Sequence, residues 1–478
     1  MNKIDFKHHR RRKNETTKQR FIRIISGSVF SILYILFSFW AGWGWFLLLP
    51  LIIDFYFIGF INWGWYQRIR NKSLRSFCTL VADILFAVIG VTLLSIFFIQ
   101  NFAIPTSSLE KTLLIGDYLF VEKVTYGPRM PVTPIAMPLT HNTLPGGGKS
   151  YLDAPRLKYK RLKGKRGVER MDLVVFNFPA GDTVALKMPN PDYYTLCNMY
   201  GRQRVHEDKA LFGDIVTRPV DRRDHYVKRC VGIAGDTVEI RNNQIYINGK
   251  AQENPPKMQL NYWVQTDGTT LSKELLDQLG INYRDLNIAA SGAQSESLCY
   301  ELGIEPMANG NYGAVFHLPL TAEMKEKISK EPYVVHIKME EDFSQLMYPI
   351  GAKFNWTRDN YGPIYIPAKG TTIELTPENI ALYSRCIHAY EGHDLTVSAN
   401  GKVLIDGTPA TSYTFEQDYY WMMGDNRHMS ADSRYWGFVP EDHIVGRPAL
   451  LWLSLNNEQS LFGGKIRWSR MMRTIKAH

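Results

Sequence analysis

Apolar positions are distributed very unevenly along the chain. Residues 24–66 are almost continuously hydrophobic, and a second run, 77–99 (FCTLVADILFAVIGVTLLSIFFI), follows a short polar interval. At 1.5 Å per residue the first run would make about 64 Å of helix, twice the ~30 Å hydrocarbon core of a bilayer. It therefore reads as two membrane spans joined by a tight turn at Ala41–Trp45, and the second run as a third span. Beyond residue 100 the pattern changes to short alternating runs such as DYLFVEKV, MDLVVFNF, HYVKRCVGI and DTVEIRNNQIYING, with Gly, Asn and Asp between them. Period-2 alternation of this kind predicts a β-rich globular part. Segments 237–252 and 396–411 resemble each other and predict hairpins turning at Asn242–Asn243 and Asn400–Gly401. Helices are expected near Leu271–Leu279 and Ala322–Ser329. The Pro-, Gly- and Lys-rich stretch 127–170 predicts a long, partly mobile loop.

Charge adds an orientation. The net charge is +10, and 45% of the residues are hydrophobic. Nine Lys and Arg against two acids in residues 1–23, and Arg68, Arg70, Lys72 and Arg75 without an acid, carry more than that whole excess. The basic residues flank the spans and do not form a patch on the β-rich part, which excludes a nucleic-acid-binding domain. Under the positive-inside rule both clusters lie in the cytoplasm, and everything after about Gln100 lies outside. The first span lacks a cleavage site and is expected to be retained. Asp54 and Asp83 lie within spans, where a structural role competes with a functional one. The five cysteines include no CxxC pair, so neither a zinc ribbon nor a disulfide framework is implied. No nucleotide, metal or other cofactor motif is present.

Directly after the last span comes IPTSSLEKTLLIGDYLFVEK (104–123). A hydroxyl cluster there is ordinarily a turn or cap, and a strand lysine such as Lys228 ordinarily faces solvent. Serine becomes nucleophilic only with a base, and lysine can be that base only if burial lowers its pKa. Lys228, beside Val227 and Cys230–Val231, is a candidate for such burial.

With ERMDLVVFNFP (169–179), DHYVKRCVGIAGDTVEI (224–240) and MMGDNRHMSADSRYWGFVPEDHIVGRP (422–448), this block resembles the bacterial type I signal peptidases, membrane-bound Ser/Lys endopeptidases that remove signal peptides from exported preproteins. The four blocks come in the family's order and cover about 75 residues. The resemblance implies Ser108 as nucleophile, Lys228 as general base, and an oxyanion hole from the Ser108 N–H and the Thr106 hydroxyl. Ser430 would orient the lysine, with Arg229, Asp425, Asp432 and Arg434 bracing the site. It implies a mainly β, coiled-sheet catalytic domain on a three-helix transmembrane anchor, with an inserted subdomain. The expected partners are preproteins with signal peptides and membrane lipid. No cofactor, metal or nucleic acid is expected, and a monomer is. The protein would be a multi-pass protein of the cytoplasmic (inner) membrane with its catalytic domain outside, on the periplasmic side where the envelope has two membranes.

The implied organisation is a basic cytoplasmic tail (1–23), two spans (24–66), a basic loop (67–76) and a third span (77–100). The catalytic core follows in two parts, 101–252 and 395–478, separated by the inserted subdomain 253–394. Several positions depart from the family pattern: Thr106, Ser107 and Leu109 around the nucleophile, Met171 for Gly, Ala234 for Pro and His428 for Asp. Lys111 stands where the family usually has Pro and creates Ser108-x-x-Lys111, the spacing of penicillin-binding acyl-enzymes. That rival lacks matching partners: GDN at 424–426 and Lys369-Gly370-Thr371 fit neither of its other motifs. A Ser/His/Asp triad using His225 or His428, and a non-catalytic extracytoplasmic scaffold, are the remaining alternatives.

Overall fold

The computed structural model describes residues 15–475 except 145, 147, 282–286, 292, 343–345, 352–353, 399–400, 458 and 461–462. The basic residues up to Lys13 and the Asn400 of the second expected turn lie outside the described residues. Helix α1 (Thr17–Ala41) opens on a capping box in which Thr16 Oγ1 accepts from Gln19 N and the Gln19 side chain accepts from Thr16 N. Helix α2 (Lys72–Phe97) is capped by Asn71, whose Oδ1 accepts from Ser73 N and Leu74 N. Among the described residues these two are long and apolar enough to cross a bilayer.

The second expected span, the latter half of 24–66, is shorter than predicted. Trp43–Ile58 is helical throughout, but its geometry changes from 3-10 (Trp43–Leu48) to α (Leu49–Ile53) to π (Asp54–Ile58). At the α rise it is about 24 Å long, less than a hydrocarbon core. Asp54 explains where it stops. Its buried carboxylate accepts from Phe60 N (2.7 Å), Ile61 N (3.0 Å) and Trp63 Nε1 (2.9 Å), folding the chain back after the left-handed Gly59. This stretch lies against α1, where a Cβ on Gly27 would come within 2.6 Å of Tyr56 Cβ. The far ends of α1 and α2 meet through Phe37 and Phe97, with ring centroids 5.0 Å apart, and Trp45 packs on the same Phe97 at 5.4 Å.

The globular part is built on an eight-stranded antiparallel sheet. Its strands are β1 (Ile99–Ala103), β2 (Asp117–Glu122), β3 (Leu173–Asn177), β4 (His225–Gly232), β5 (Tyr419–Met423), β6 (Val439–Pro440), β7 (Ile444–Ser454) and β8 (Arg473–Thr474). The order is β1-β2-β7-β3-β4-β5-β6, with β8 also pairing β7. Register shifts between β2 and β7, at Tyr118/Leu119 and Phe120/Val121, curl the sheet. Strand β2 alternates buried Asp117, Leu119 and Val121 with half-buried neighbours, whereas β3 is buried along its whole length, as a central strand must be.

Thr237–Arg241 and Gln244–Ile247 form the first expected hairpin, with positive φ at both Asn242 and Asn243. Their four-stranded sheet also takes Tyr361–Tyr365, so the chain has already returned to this part of the core well before residue 394. Between them lies a separate antiparallel sheet in the order Asn287–Ala290, Val315–Leu320, Leu260–Thr266, Val334–Met339. It packs its own cluster, including Val264, Phe316, Leu318, Leu276 and Ile328. The helices Lys273–Leu279 and Ala322–Ile328 of this segment fall where the periodicity predicts them.

Candidate active site

The site residues sit on two excursions from the curled sheet and on one of its central strands. The first excursion, residues 104–116, leaves between β1 and β2. Its neck is tied by Ile104 N donating to Asp117 O and Gly116 N donating to Ile104 O, each 2.9 Å. Asp117, fully buried, holds the exit: its carboxylate accepts from Leu114 N, Ser454 Oγ and Arg470 Nη2. Leu109 and Leu113 anchor the arm in the core beside Leu119, Leu173 and Val175. That apolar anchoring fixes Ser108, the residue immediately before Leu109. Lys228 lies on β4 opposite Val174 of β3, at the centre of the sheet.

Ser108, Thr106 and Lys228 line one cavity of about 290 Å³, whose other walls include Ile104, Leu109, Val175, Val227 and Ala431. Ser108 and Lys228 are 7% and 4% exposed, while Thr106 lies at the exposed rim. Burial pulls the Lys228 ammonium down from its ordinary value to about 8; Asp432 and Asp425 oppose that shift, and Arg434 adds to it. The Lys228 Nζ donates to Ser430 Oγ at 3.1 Å.

The second excursion, residues 424–436, links β5 to β6 and is held by two buried ion pairs. Arg229 Nε and Nη2 each donate to the Asp425 carboxylate at 2.7 Å, and Thr112 Oγ1 reaches the same carboxylate at 2.7 Å. Arg434 donates to Asp432 from Nε (2.9 Å) and Nη2 (2.8 Å). Burial alone would push the Asp432 carboxyl up; Arg434 and Lys228 hold it below the usual carboxylate range. The two excursions also touch directly. Asn426 N donates to Ser108 O at 3.1 Å and Asn426 Nδ2 to Ser107 O at 3.3 Å. Gly424 is required between them: a Cβ there would lie 2.3 Å from Ser430 Oγ and 2.5 Å from Ser108 O.

All eight expected site residues thus gather around this one cavity and its brace. Thr112, Gly424 and Asn426 lie inside the same sequence blocks but carry no local signal of a role, because that role is contact between segments far apart in sequence. Lys111 is turned elsewhere. Its Nζ donates to the carbonyls of Leu279 (3.3 Å) and Gly280, at the C-terminus of helix Lys273–Leu279, where a cation is favourable. Its backbone φ is +69°, which proline cannot adopt. Met171 keeps a left-handed backbone (φ +70°), the conformation that suits the family's glycine. Among the histidines, His225 lines the cavity, and burial pushes its imidazolium pKa well below the ordinary value. His428 is occupied: its Nδ1 accepts from Asn261 N, leaving Nε2 to donate to Asp359 at 3.1 Å. Cys230 is a free, buried thiol whose Sγ donates to Gly232 O, and burial raises its pKa.

A buried lysine that is partly neutral near pH 8 can accept a proton, and a serine hydroxyl sharing its cavity can supply one. The backbone N–H and threonine hydroxyl beside them are donors suited to an oxyanion. The model of the family described as signal peptidase, peptidase S26, matches residues 77–279 and 376–453, more than half of the chain. Signal peptidase I of Buchnera aphidicola subsp. Schizaphis graminum is 22% identical over 375 residues, 78% of this chain and 74% of that protein. Signal peptidase I of Helicobacter pylori (strain 26695) is 22% identical over 415 residues, 84% of this chain and 94% of that protein. A short stretch of 43 residues is 56% identical to signal peptidase I S of Bacillus subtilis, covering 9% and 23% of the two chains. With a buried lysine and a serine in one cavity and this match along most of its length, the chain belongs to the signal peptidase family, peptidase S26, and is a serine peptidase.

Proposed function

We propose that this protein is a type I signal peptidase that cleaves signal peptides from exported preproteins with a Ser108/Lys228 dyad. The observation carrying this reading is Lys228: buried, drawn down to about 8, oriented by Ser430 and lining the same cavity as Ser108. Neutral Lys228 takes the proton from Ser108 Oγ as that oxygen bonds to the scissile carbonyl carbon. The resulting oxyanion is held by the Ser108 N–H and the Thr106 hydroxyl. Lys228 then gives its proton to the departing amine, releasing the mature protein and leaving an acyl-enzyme. A water, deprotonated by Lys228, attacks the ester carbonyl and frees Ser108 and the signal peptide. Arg229, Asp425, Asp432 and Arg434 hold the orienting loop and do not touch the reacting atoms.

The substrate would lie extended beside the sheet and place small side chains in the shallow apolar part of the cavity. The enzyme would be a multi-pass protein with residues 24–66 and 77–100 in the membrane and the catalytic domain outside. Ser108 lies eleven residues beyond the end of α2. At ~3.3 Å per extended residue the site therefore stays within ~36 Å of the helix end, inside the reach of a substrate still anchored by its own apolar segment. Residues 253–394 would be an addition to this core.

The test is cleavage of a model preprotein bearing Ala-x-Ala before its cut site by detergent-solubilised protein. Wild type is compared with folded Ser108→Ala, Lys228→Ala and Lys111→Ala. Activity lost in the first two and kept in the third is the expected result. Loss on Lys111→Ala with Lys228→Ala active would overturn the assignment in favour of the S-x-x-K arrangement.

A further inference from the structure

Behind the candidate active site lies a second cavity, of about 470 Å³, with His225 as a shared wall. One side is the last two turns of α2, at Val91, Thr92, Ser95 and Ile96; the other is the loop 129–141. Three cations line it: Lys123, Arg129 and Arg222. Both guanidinium groups are held by uncharged acceptors. Arg129 donates to Asp442 O and Asn177 Oδ1, and Arg222 to Thr133 Oγ1, Thr133 O and His141 O. The Lys123 ammonium has no hydrogen-bond or ion-pair partner among the described residues. Burial draws it down to about 7, and Arg129 and Arg161 push it the same way. Among the described residues Asp221 is the one carboxylate in the lining, and one of its oxygens is already taken by Thr133 N and Oγ1.

A cavity that sets two guanidinium groups and a lysine, whose protonated form a bound anion would favour, against a single carboxylate is built for an anion. Its depth indicates which. Helix α2, 26 residues or about 39 Å, spans a hydrocarbon core and enters the headgroup layer, so its last turns lie at phosphate level. Ile135, Met137 and Leu139, on the loop that forms the other wall, expose half or more of their surface. Basic pockets beside membrane helices hold lipid headgroups by this combination of charge and apolar contact. We infer that this cavity binds the phosphate of an anionic membrane phospholipid, with Lys123, Arg129 and Arg222 around the headgroup and the acyl chains along α2. The inference rests on the membrane-anchored reading above but not on the roles of Ser108 and Lys228.

The full-length protein, stripped of lipid in detergent, is titrated with dihexanoyl phosphatidylglycerol, dihexanoyl phosphatidylcholine or sodium phosphate, and adducts are counted by native mass spectrometry. The wild type is expected to take up one phosphatidylglycerol and to hold phosphatidylcholine at least about tenfold more weakly. Losing one charge-assisted hydrogen bond in Lys123→Gln should weaken phosphatidylglycerol binding by at least about tenfold, and Lys123→Arg should restore it. Equal binding of the two lipids by the wild type, which needs no variant to fold, would overturn the inference. So would Lys123→Gln binding like the wild type. Displacement of phosphatidylglycerol by an equal concentration of sodium phosphate would reassign the cavity to free phosphate. Because the readout is binding, none of these outcomes bears on the peptidase assignment.

Discussion

The acid limb of the pH–rate profile should belong to Lys228. Its folded-state pKa is lowered to about 8, and the neutral amine is the active form, so activity is present above that value and lost as pH falls through it. With one titrating base the active fraction is about nine-tenths at pH 9, one half at pH 8, a tenth at pH 7 and a hundredth at pH 6. From pH 9 to pH 6 the cleavage rate should therefore fall by roughly ninetyfold, about tenfold per unit below pH 7. The assay is kcat/KM for an Ala-x-Ala peptide in detergent, which reports the ionisation of the free enzyme. Lys123, drawn down to about 7, titrates in the same range beyond the shared wall of His225. Lys123→Arg stays charged throughout and separates the two: it should leave the midpoint of the limb in place. His225, held well below its ordinary value by burial, contributes nothing above pH 7. A rate that is flat between pH 9 and pH 6, or a midpoint that disappears in Lys123→Arg, would refute Lys228 as the base.

Ser430→Ala removes the acceptor of the Lys228 Nζ at 3.1 Å; kcat should fall by about ten- to a hundredfold with KM little changed, and Ser430→Thr should recover part of it. Asp425→Ala leaves the Arg229 guanidinium buried without its carboxylate, which should cost about 3–5 kcal/mol, read as a large drop in Tm in detergent. A Tm within one degree of wild type would contradict the buried pair. Gly424→Ala forces a methyl against Ser430 Oγ and Ser108 O, so activity should fall far more steeply than Tm; an active variant would show that the two excursions are not in contact.

Local chemistry was legible in the sequence, and assembly was not. The turn at Asn242–Asn243 needs two positive φ values, and asparagine tolerates them, so the hairpin could be read from two letters. Helices Lys273–Leu279 and Ala322–Ile328 follow from apolar spacing within seven residues. Hydropathy counted Trp43–Ile58 as a full span because it does not register what one carboxylate does to backbone: Asp54 collects two N–H groups and an indole and ends the helix early. Strand order was out of reach for another reason. β7 inserts between β2 and β3 although more than 250 residues separate it from either, and no local pattern encodes a pairing at that distance. The burial of Lys228 was inferred from Val227, Cys230 and Val231, but its magnitude comes from β3 and β5 on either side and from the 424–436 excursion, which sequence neighbours do not reveal.

The two most conspicuous departures from the family pattern, Lys111 and His428, acquire a common reason in three dimensions. Each lies on one of the excursions that form the site, and each is bonded to the segment that the family model does not match or to its immediate flank. Lys111, three residues after Ser108, holds the end of helix Lys273–Leu279. His428, two residues before Ser430, receives Asn261 N and bonds Asp359. Backbone bonds close the same seam: Gln259 N donates to Asp425 O, and Arg427 N to Gln259 O, each at 2.9 Å. Asn261 is in turn fixed by Glu340, whose carboxyl burial would push up but which His317 and Asn261 hold down at about 2. An aspartate at 428 could not accept from Asn261 N without placing its charge beside that of Asp359, and a proline at 111 could neither adopt the observed φ nor reach the helix end. The residues that look like erosion of a catalytic motif are therefore points at which the separate sheet built on Leu260–Thr266 is fastened to both arms of the candidate site. Their effect on rate must pass through the placing of Ser108 and Ser430, since neither side chain enters the cavity where the chemistry would occur.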